Sequence, residues 1–297
     1  MTGRRALIVA ALAAAGTVLA AQQQAPDHQL LTYRAVTSLV SVDVVVLRGR
    51  SPVTGLDSKD FALTDNGVRQ RLESASAAAL PIDVSLAVDM SSSVIANVDL
   101  FKSEVRRFAR MLRPTDRIRV VAFGTGVVEA VRMRPAGEAL DLSALDARGA
   151  TSLNDALLYT LLWQPGEQRR HLVIVLTDGV DTVSTMSGPD VIAAAARVEA
   201  VVHAIMVTPA SEPASAWQRR SVDAVRELAF STGGRVHPLK QAYNDFNQIV
   251  EDFRSGYVLR YMPERVPTDG VHEVAVTLQR PDANRYVVRA RKTYFGG

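Results

Sequence analysis

The chain has 297 residues, 47% of them hydrophobic and 22% charged, which is the make-up of an ordinary globular protein with room for one large domain and a smaller companion. Its formal net charge is +3, and two of those charges, Arg4 and Arg5, fall in a leader-like segment, so there is no electrostatic case for nucleic acid. The absence of cysteine excludes disulfides and any cysteine-linked lipid anchor.

Residues 1–21 read as a secretory signal. Arg4-Arg5 open it, Ala6 to Val18 is apolar, and small residues run up to Ala21, just before Gln22. The apolar run is short for a membrane anchor, so the expectation is cleavage near Gln22 and export to the periplasm or beyond. No later stretch is long and apolar enough to span a bilayer. After a polar linker over 22–30, Val36 to Leu47 alternates polar and apolar residues in its middle, the two-residue period of a half-buried strand. Asp65-Asn66-Gly67 is a tight-turn signal, and Val68 to Ser74 can return as a strand. Residues 31–78 therefore form a β unit too small to bury a core alone.

From Pro81 strands and helices alternate, as in a doubly wound, mostly parallel sheet with helices on both faces. Ile82 to Val88 is a strand that ends on Asp89, with hydroxyls following at Ser91 and Ser93. A helix is expected over 95–112. Ile118 to Phe123 and Val127 to Arg132 flank Gly124-Thr125-Gly126 as a hairpin that supplies an edge strand. Thr151 stands in a loop ahead of a helix over 155–163. Leu172 to Leu176 is an uninterrupted apolar run, the mark of a strand buried on both faces, and it leads into Thr177-Asp178-Gly179. Helix 191–198, strand 201–207, helix 221–231, a short strand after Gly233-Gly234 and helix 242–254 complete this α/β domain over 80–255. Residues 256–297 turn back to strand patterns at 256–261, 272–280 and 285–295. Together with 31–78 they are expected to build one split β domain. Arg285, Arg289, Arg291 and Lys292 read as a solvated strand face, and Trp163 and Trp217 as packing residues.

In open α/β sheets, ligands sit beyond the carboxyl ends of the strands. Asp89, Ser91, Ser93, Thr151 and Asp178 offer only oxygen donors there, the chemistry selected by a hard divalent cation. D-x-S-x-S, a distant threonine and a later T-D-G, in this order, resemble the metal-ion-dependent adhesion site of von Willebrand factor type A domains. The resemblance implies that Ser91, Ser93 and Thr151 lie closest to a Mg²⁺ or Mn²⁺ ion. It also implies that Asp89 and Asp178 act through water or hydrogen bonds, and that an Asp or Glu carboxylate of a protein partner completes the shell. The threonine often follows two glycines in that family; here Gly149-Ala150 precede it. The layout of the whole chain, with its D-N-G turn and R-A-R-K-x-Y-F ending, resembles a von Willebrand-type family abundant in acidobacteria.

An exported, non-enzymatic binding or adhesion protein is the reading these residues favour. The alternative is an envelope-assembly or structural protein with a vestigial metal site. A hydrolase using Ser91 is weaker still: G-x-S-x-G, Walker A, G-x-G-x-x-G and H-E-x-x-H motifs are absent, and none of the five histidines stands in a catalytic context.

Overall fold

The computed structural model describes residues 39–166, 168–207, 215–239 and 242–296. The expected signal segment at 1–21 and the linker at 22–30 lie outside the described residues. Five strands come first: β1 (Val40–Arg48), β2 (Ser51–Pro52), β3 (Phe61–Asp65), β4 (Val68–Gln70) and β5 (Leu72–Ala77). The alternating part follows with β6 (Ile82–Asp89), α1 (Val98–Met111), β7 (Arg117–Phe123), β8 (Val127–Pro135), α2 (Leu153–Leu161) and β9 (Arg170–Thr177). It continues through α3 (Gly188–Ala195), β10 (Ala200–Met206), α4 (Ala216–Ser231), β11 (Val236–Pro238) and α5 (Ala242–Ser255). The chain closes on β12 (Tyr257–Tyr261), β13 (Gly270–Leu278), β14 (Val287–Ala290) and β15 (Thr293–Gly296).

The central sheet has the order β11-β10-β9-β6-β7-β8. All its pairings are parallel except the β7–β8 hairpin, which adds the expected antiparallel edge. Alternation along each strand sends side chains to opposite faces, so two cores form. Ile82, Val84, Leu86 and Val88 of β6 meet α1 and α5, where the Phe108 and Phe246 rings lie 4.6 Å apart. Ala87, Val173, Val175 and Val202 meet α2, α3 and α4 on the other face. Helices thus cover both faces of the sheet. The run after Ser91 departs from the expected helix: Ser92–Asn97 winds as a 3₁₀ turn before α1 begins.

The two ends of the chain interleave in two antiparallel sheets. One has the order β14-β1-β12-β5 and the other β15-β13-β3-β4. Their shared core takes Val42, Val44 and Leu63 from the first strands, and Leu259, Val276 and Tyr294 from the last. The stretch 285–295 is not one strand. It breaks at Arg291-Lys292 between β14 and β15, and the expected solvated arginine face is wrong at Arg291. That side chain is buried and donates to the carbonyls of Ala195 at the end of α3, Val198 in the turn after it and Ala200 at the start of β10. Arg289 likewise pairs with buried Asp252 of α5.

Arg170, at the amino end of β9, joins the antiparallel part to the parallel sheet. It is 6% exposed, donates through Nε to Asp43 of β1 (2.8 Å) and through Nη1 to the Phe253 carbonyl (2.6 Å), and stacks 3.6 Å from the Phe253 ring centroid. Removing one partner of a buried pair strands the other charge, at a cost of about 3–5 kcal/mol. Arg170→Met should therefore lower the unfolding free energy by about 3 kcal/mol in urea titrations, and Arg170→Met with Asp43→Asn should recover part of that loss.

Candidate functional site

Five parallel strands, β11, β10, β9, β6 and β7, point their carboxyl ends to one edge. The β6–β9 pairing sets Val88 opposite Leu176, which brings Asp89 level with Thr177 and places Asp178 just beyond. Asp89 is fully buried: its Oδ2 accepts from the Thr177 hydroxyl (2.8 Å) and its Oδ1 from the Ser91 amide (2.9 Å). The Ser91 and Ser93 hydroxyls lie 2.9 Å apart, Ser91 buried and Ser93 exposed. Asp178 is half-buried and its Oδ1 accepts from the Val180 amide (3.0 Å).

Three loops are laced together at this edge. The Ser92 amide donates to Gly149 O (3.1 Å), and the Gly149 amide returns to Ser92 Oγ (2.9 Å). Gly149 has φ +79, and a Cβ there would lie 2.1 Å from Thr125 Oγ1, which itself accepts from the Ala150 amide. Only glycine fits. Thr182 then clamps Thr151. Its Oγ1 accepts from the Thr151 amide (2.7 Å), and its own amide donates to Thr151 O (2.9 Å). Thr151 is 4% exposed, and the Oγ of its neighbour Ser152 is buried without a partner. The Ser91–Ser93 loop is thus tied to the Thr151 loop, and the Thr151 loop to the Asp178 loop.

β6 buries two aspartates on the same face, with opposite surroundings. Asp83, at the amino end, is fully buried, which raises its pKa. Charged hydrogen bonds from Arg117 and Arg169 outweigh that and hold the carboxyl below its ordinary value. Asp89 has no cation beside it among the described residues. Burial pushes its carboxyl up to about 6 against the Ser91 and Thr177 donors, and the nearby Asp178 carboxylate pushes the same way. The donors present, three hydroxyls and two carboxylates without a cationic side chain, fit a hard divalent cation. Among the described residues no three His, Cys, Asp or Glu side chains cluster as metal ligands, so borderline-soft nitrogen and sulfur chemistry has no equivalent set.

Sequence reasoning missed the residues that shape this edge. Thr177 was readable, because strand pairing sets it beside Asp89. The reach of Ser92 and Thr182 across loops leaves no mark in the local pattern. The described histidines are engaged elsewhere: His171 with Ser85 (2.8 Å), His203 with His237 (3.1 Å) and His272 with Asp65 (2.8 Å). His28 lies outside the described residues.

A folded-state pKa of about 6 on Asp89, above the ordinary 3.8, destabilises the metal-free fold as pH rises. The penalty is absent below about pH 4, where both states hold the proton. It grows to a few kcal/mol above pH 6, where the folded state must also release it. Asp89→Asn should therefore raise the melting temperature of the protein in EDTA at pH 7.5 and leave it nearly unchanged at pH 4. Thermal melts at the two pH values measure this directly.

The family model described as von Willebrand factor type A domain matches residues 84–181, a span that runs from β6 through Asp178. Similar solved structures include an aerotolerance-related membrane protein from Bacteroides fragilis, 12% identical, with 58% of this chain and 98% of that one covered at a TM-score of 0.45. A von Willebrand factor type A protein from Catenulispora acidiphila is 13% identical, with 80% and 73% covered at 0.49. Proximal thread matrix protein 1 from the mussel byssus, with a zinc-occupied MIDAS motif, is 18% identical, with 62% and 48% covered at 0.47. No curated protein matches the sequence. The family match lies on a doubly wound sheet that ends on Asp89 and Asp178, so residues 84–181 are similar to a von Willebrand factor type A domain, and the chain sets this α/β fold among antiparallel sheets from its two ends.

Proposed function

We propose that this is an exported binding protein that receives an acidic side chain of a protein partner at a divalent cation held by Ser91, Ser93, Thr151, Asp89 and Asp178. The observation that carries the reading is the contrast along β6. Asp83 is buried between arginines, whereas among the described residues Asp89 is buried with no cationic side chain beside it and its carboxyl is pushed up to about 6. A buried carboxylate without a cation is costly, and its position at the mouth of three laced loops is where a ligand of the sheet would be expected.

The residues divide the work by charge. Ser91, Ser93 and Thr151 are neutral oxygens, so as direct ligands they leave the ion's charge largely uncompensated. Asp89, with one carboxylate oxygen on Thr177 and the other on the Ser91 amide, orients the serine loop as well as supplying charge. A bound Mg²⁺ or Mn²⁺ would supply an electrophilic centre for an incoming carboxylate. Thr182, by holding both the amide and the carbonyl of Thr151, fixes the threonine beside the Asp178 loop. A hydrolytic role for Ser91 finds no support in the described histidines, each of which is paired away from it.

Among the described residues no helix is long and apolar enough to cross a membrane. The export reading rests on the leader-like residues 1–21, and N-terminal sequencing of protein from its native host should find Gln22 or a close neighbour first. Calorimetry of the mature protein should detect one Mg²⁺ or Mn²⁺ site. Asp178→Ala and Ser91→Ala should each weaken it at least tenfold without lowering the metal-free melting temperature. Thr151→Ala should reduce affinity for a glutamate-bearing peptide more than it reduces affinity for the metal. A folded wild-type protein that binds neither ion, with or without such a peptide, would leave the vestigial reading in its place.

A further inference from the structure

Beside the candidate site, the surface between α3 and α4 opens into a groove of ≈ 760 Å³. Its floor is apolar, with Pro189 and Ile192 from α3, Ala224 from α4, and Trp217 along the wall. The helices meet tightly at one point: a Cβ on Gly188 would lie 2.6 Å from the Ala224 Cβ. Trp217 is 44% exposed, which overturns its expected role as a packing residue. The charge around the groove is uneven. Among the described residues that line it, Asp181, Asp223 and Glu227 stand against a single guanidinium, Arg220. Asp223 and Glu227 stand one turn apart on the same side of α4. Asp223 also pairs with Arg226 at 2.9 Å, outside the lining, while Glu227 makes no ion pair among the described residues.

The groove is held in register with the site. Asp181 accepts from the Asn154 amide (2.9 Å) and the Ser184 amide (3.2 Å), and Thr182, its neighbour in the lining, is the residue that clamps Thr151. Asp181 is three residues beyond Asp178, so their Cα atoms lie within about 11 Å of each other.

We propose that this groove takes a lysine or arginine side chain from the same partner segment whose acidic residue is received at the Asp89–Asp178 site, an inference that rests on the function proposed above. The aliphatic stem of such a side chain covers Ile192 and Ala224. The stem starts over the Trp217 ring at the amino end of α4, and the charged head points along the groove toward Asp223 and Glu227, which stand about 9 and 15 Å farther along the helix axis and offset its charge. At about 3.3 Å per residue, an extended segment spans the distance with its acidic and basic residues roughly three to five positions apart.

The test uses the full mature protein with Mg²⁺ and four acetylated Gly/Ser peptides. One carries a single Glu, one Glu and Lys four positions apart, one Glu and Phe at that spacing, and one Lys alone. Calorimetry should find the Glu–Lys peptide about tenfold tighter than the Glu peptide. Trp217→Ala and Glu227→Gln should each erase that gain while leaving binding of the Glu peptide and the melting temperature unchanged. Equal affinity for the Glu and Glu–Lys peptides overturns the proposal, and so does a Glu–Phe peptide that binds better than Glu–Lys. If the Glu peptide fails to bind, the functional reading falls, and the Lys peptide then decides the groove. Binding in EDTA that is lost in Glu227→Gln supports it, and no binding overturns it.

Discussion

A carboxylate taken out of water needs an opposite charge or a full set of donors, and β6 buries two carboxylates on one face of one strand. At the amino end, Arg117 and Arg169 close on Asp83. In the middle, Ser85 takes a hydrogen bond from Arg119 and contacts His171, whose pKa falls to about 4 through burial and the nearby Arg119. At the carboxyl end, Asp89 has only neutral donors, from Thr177 and Ser91. The strand thus runs from a sealed ionic lock to an open electrostatic demand. Its apolar side chains on the opposite face, packed against α1 and α5, hold both ends in place.

The site edge is built from hydroxyl and amide contacts between loops, not from packing. Ser92, Thr125, Thr177 and Thr182 contribute no carboxylate, yet they decide where the three loops stop. Gly149 is the tightest of these constraints, because its positive φ and the Thr125 hydroxyl leave no room for a side chain. A change at any of these positions would shift oxygen donors by fractions of an ångström without touching the core. An ion with strict octahedral demands tolerates such shifts poorly.

The parallel sheet was legible because β6 and β9 are apolar runs that end on turn-forming polar residues, a pattern set by burial on both faces. The β7–β8 hairpin was legible from its Gly-Thr-Gly turn. The start of α1 was displaced because apolar spacing does not distinguish the 3₁₀ turn at 92–97 from the first turn of a helix. The last stretch misled for another reason. Alternation over 285–295 suggested one strand with arginines in water, but Arg291 turns inward to satisfy carbonyls around the end of α3, nearly a hundred residues earlier. Such a partner is a property of the tertiary fold and leaves no local signature. Asp89, Ser91, Ser93, Thr151 and Asp178 could be picked out by residue type and order, whereas the clamps that position them could not.

The α/β part leaves and rejoins the antiparallel sheets at nearly one point. The Ala78 amide donates to Gly256 O (2.9 Å), and β5 pairs directly with β12 across that junction. The chain path between residues 78 and 256 is a closed loop, tied back to the antiparallel strands through Arg170, Arg289 and Arg291. Tension pulled through the flanking strands would therefore pass from β5 to β12 through their shared ladder, with β1 and β14 sharing the load in shear. The parallel sheet and its carboxyl edge would remain slack. A molecule wired this way can be stretched between its two sides while the carboxyl edge of its parallel sheet keeps its shape.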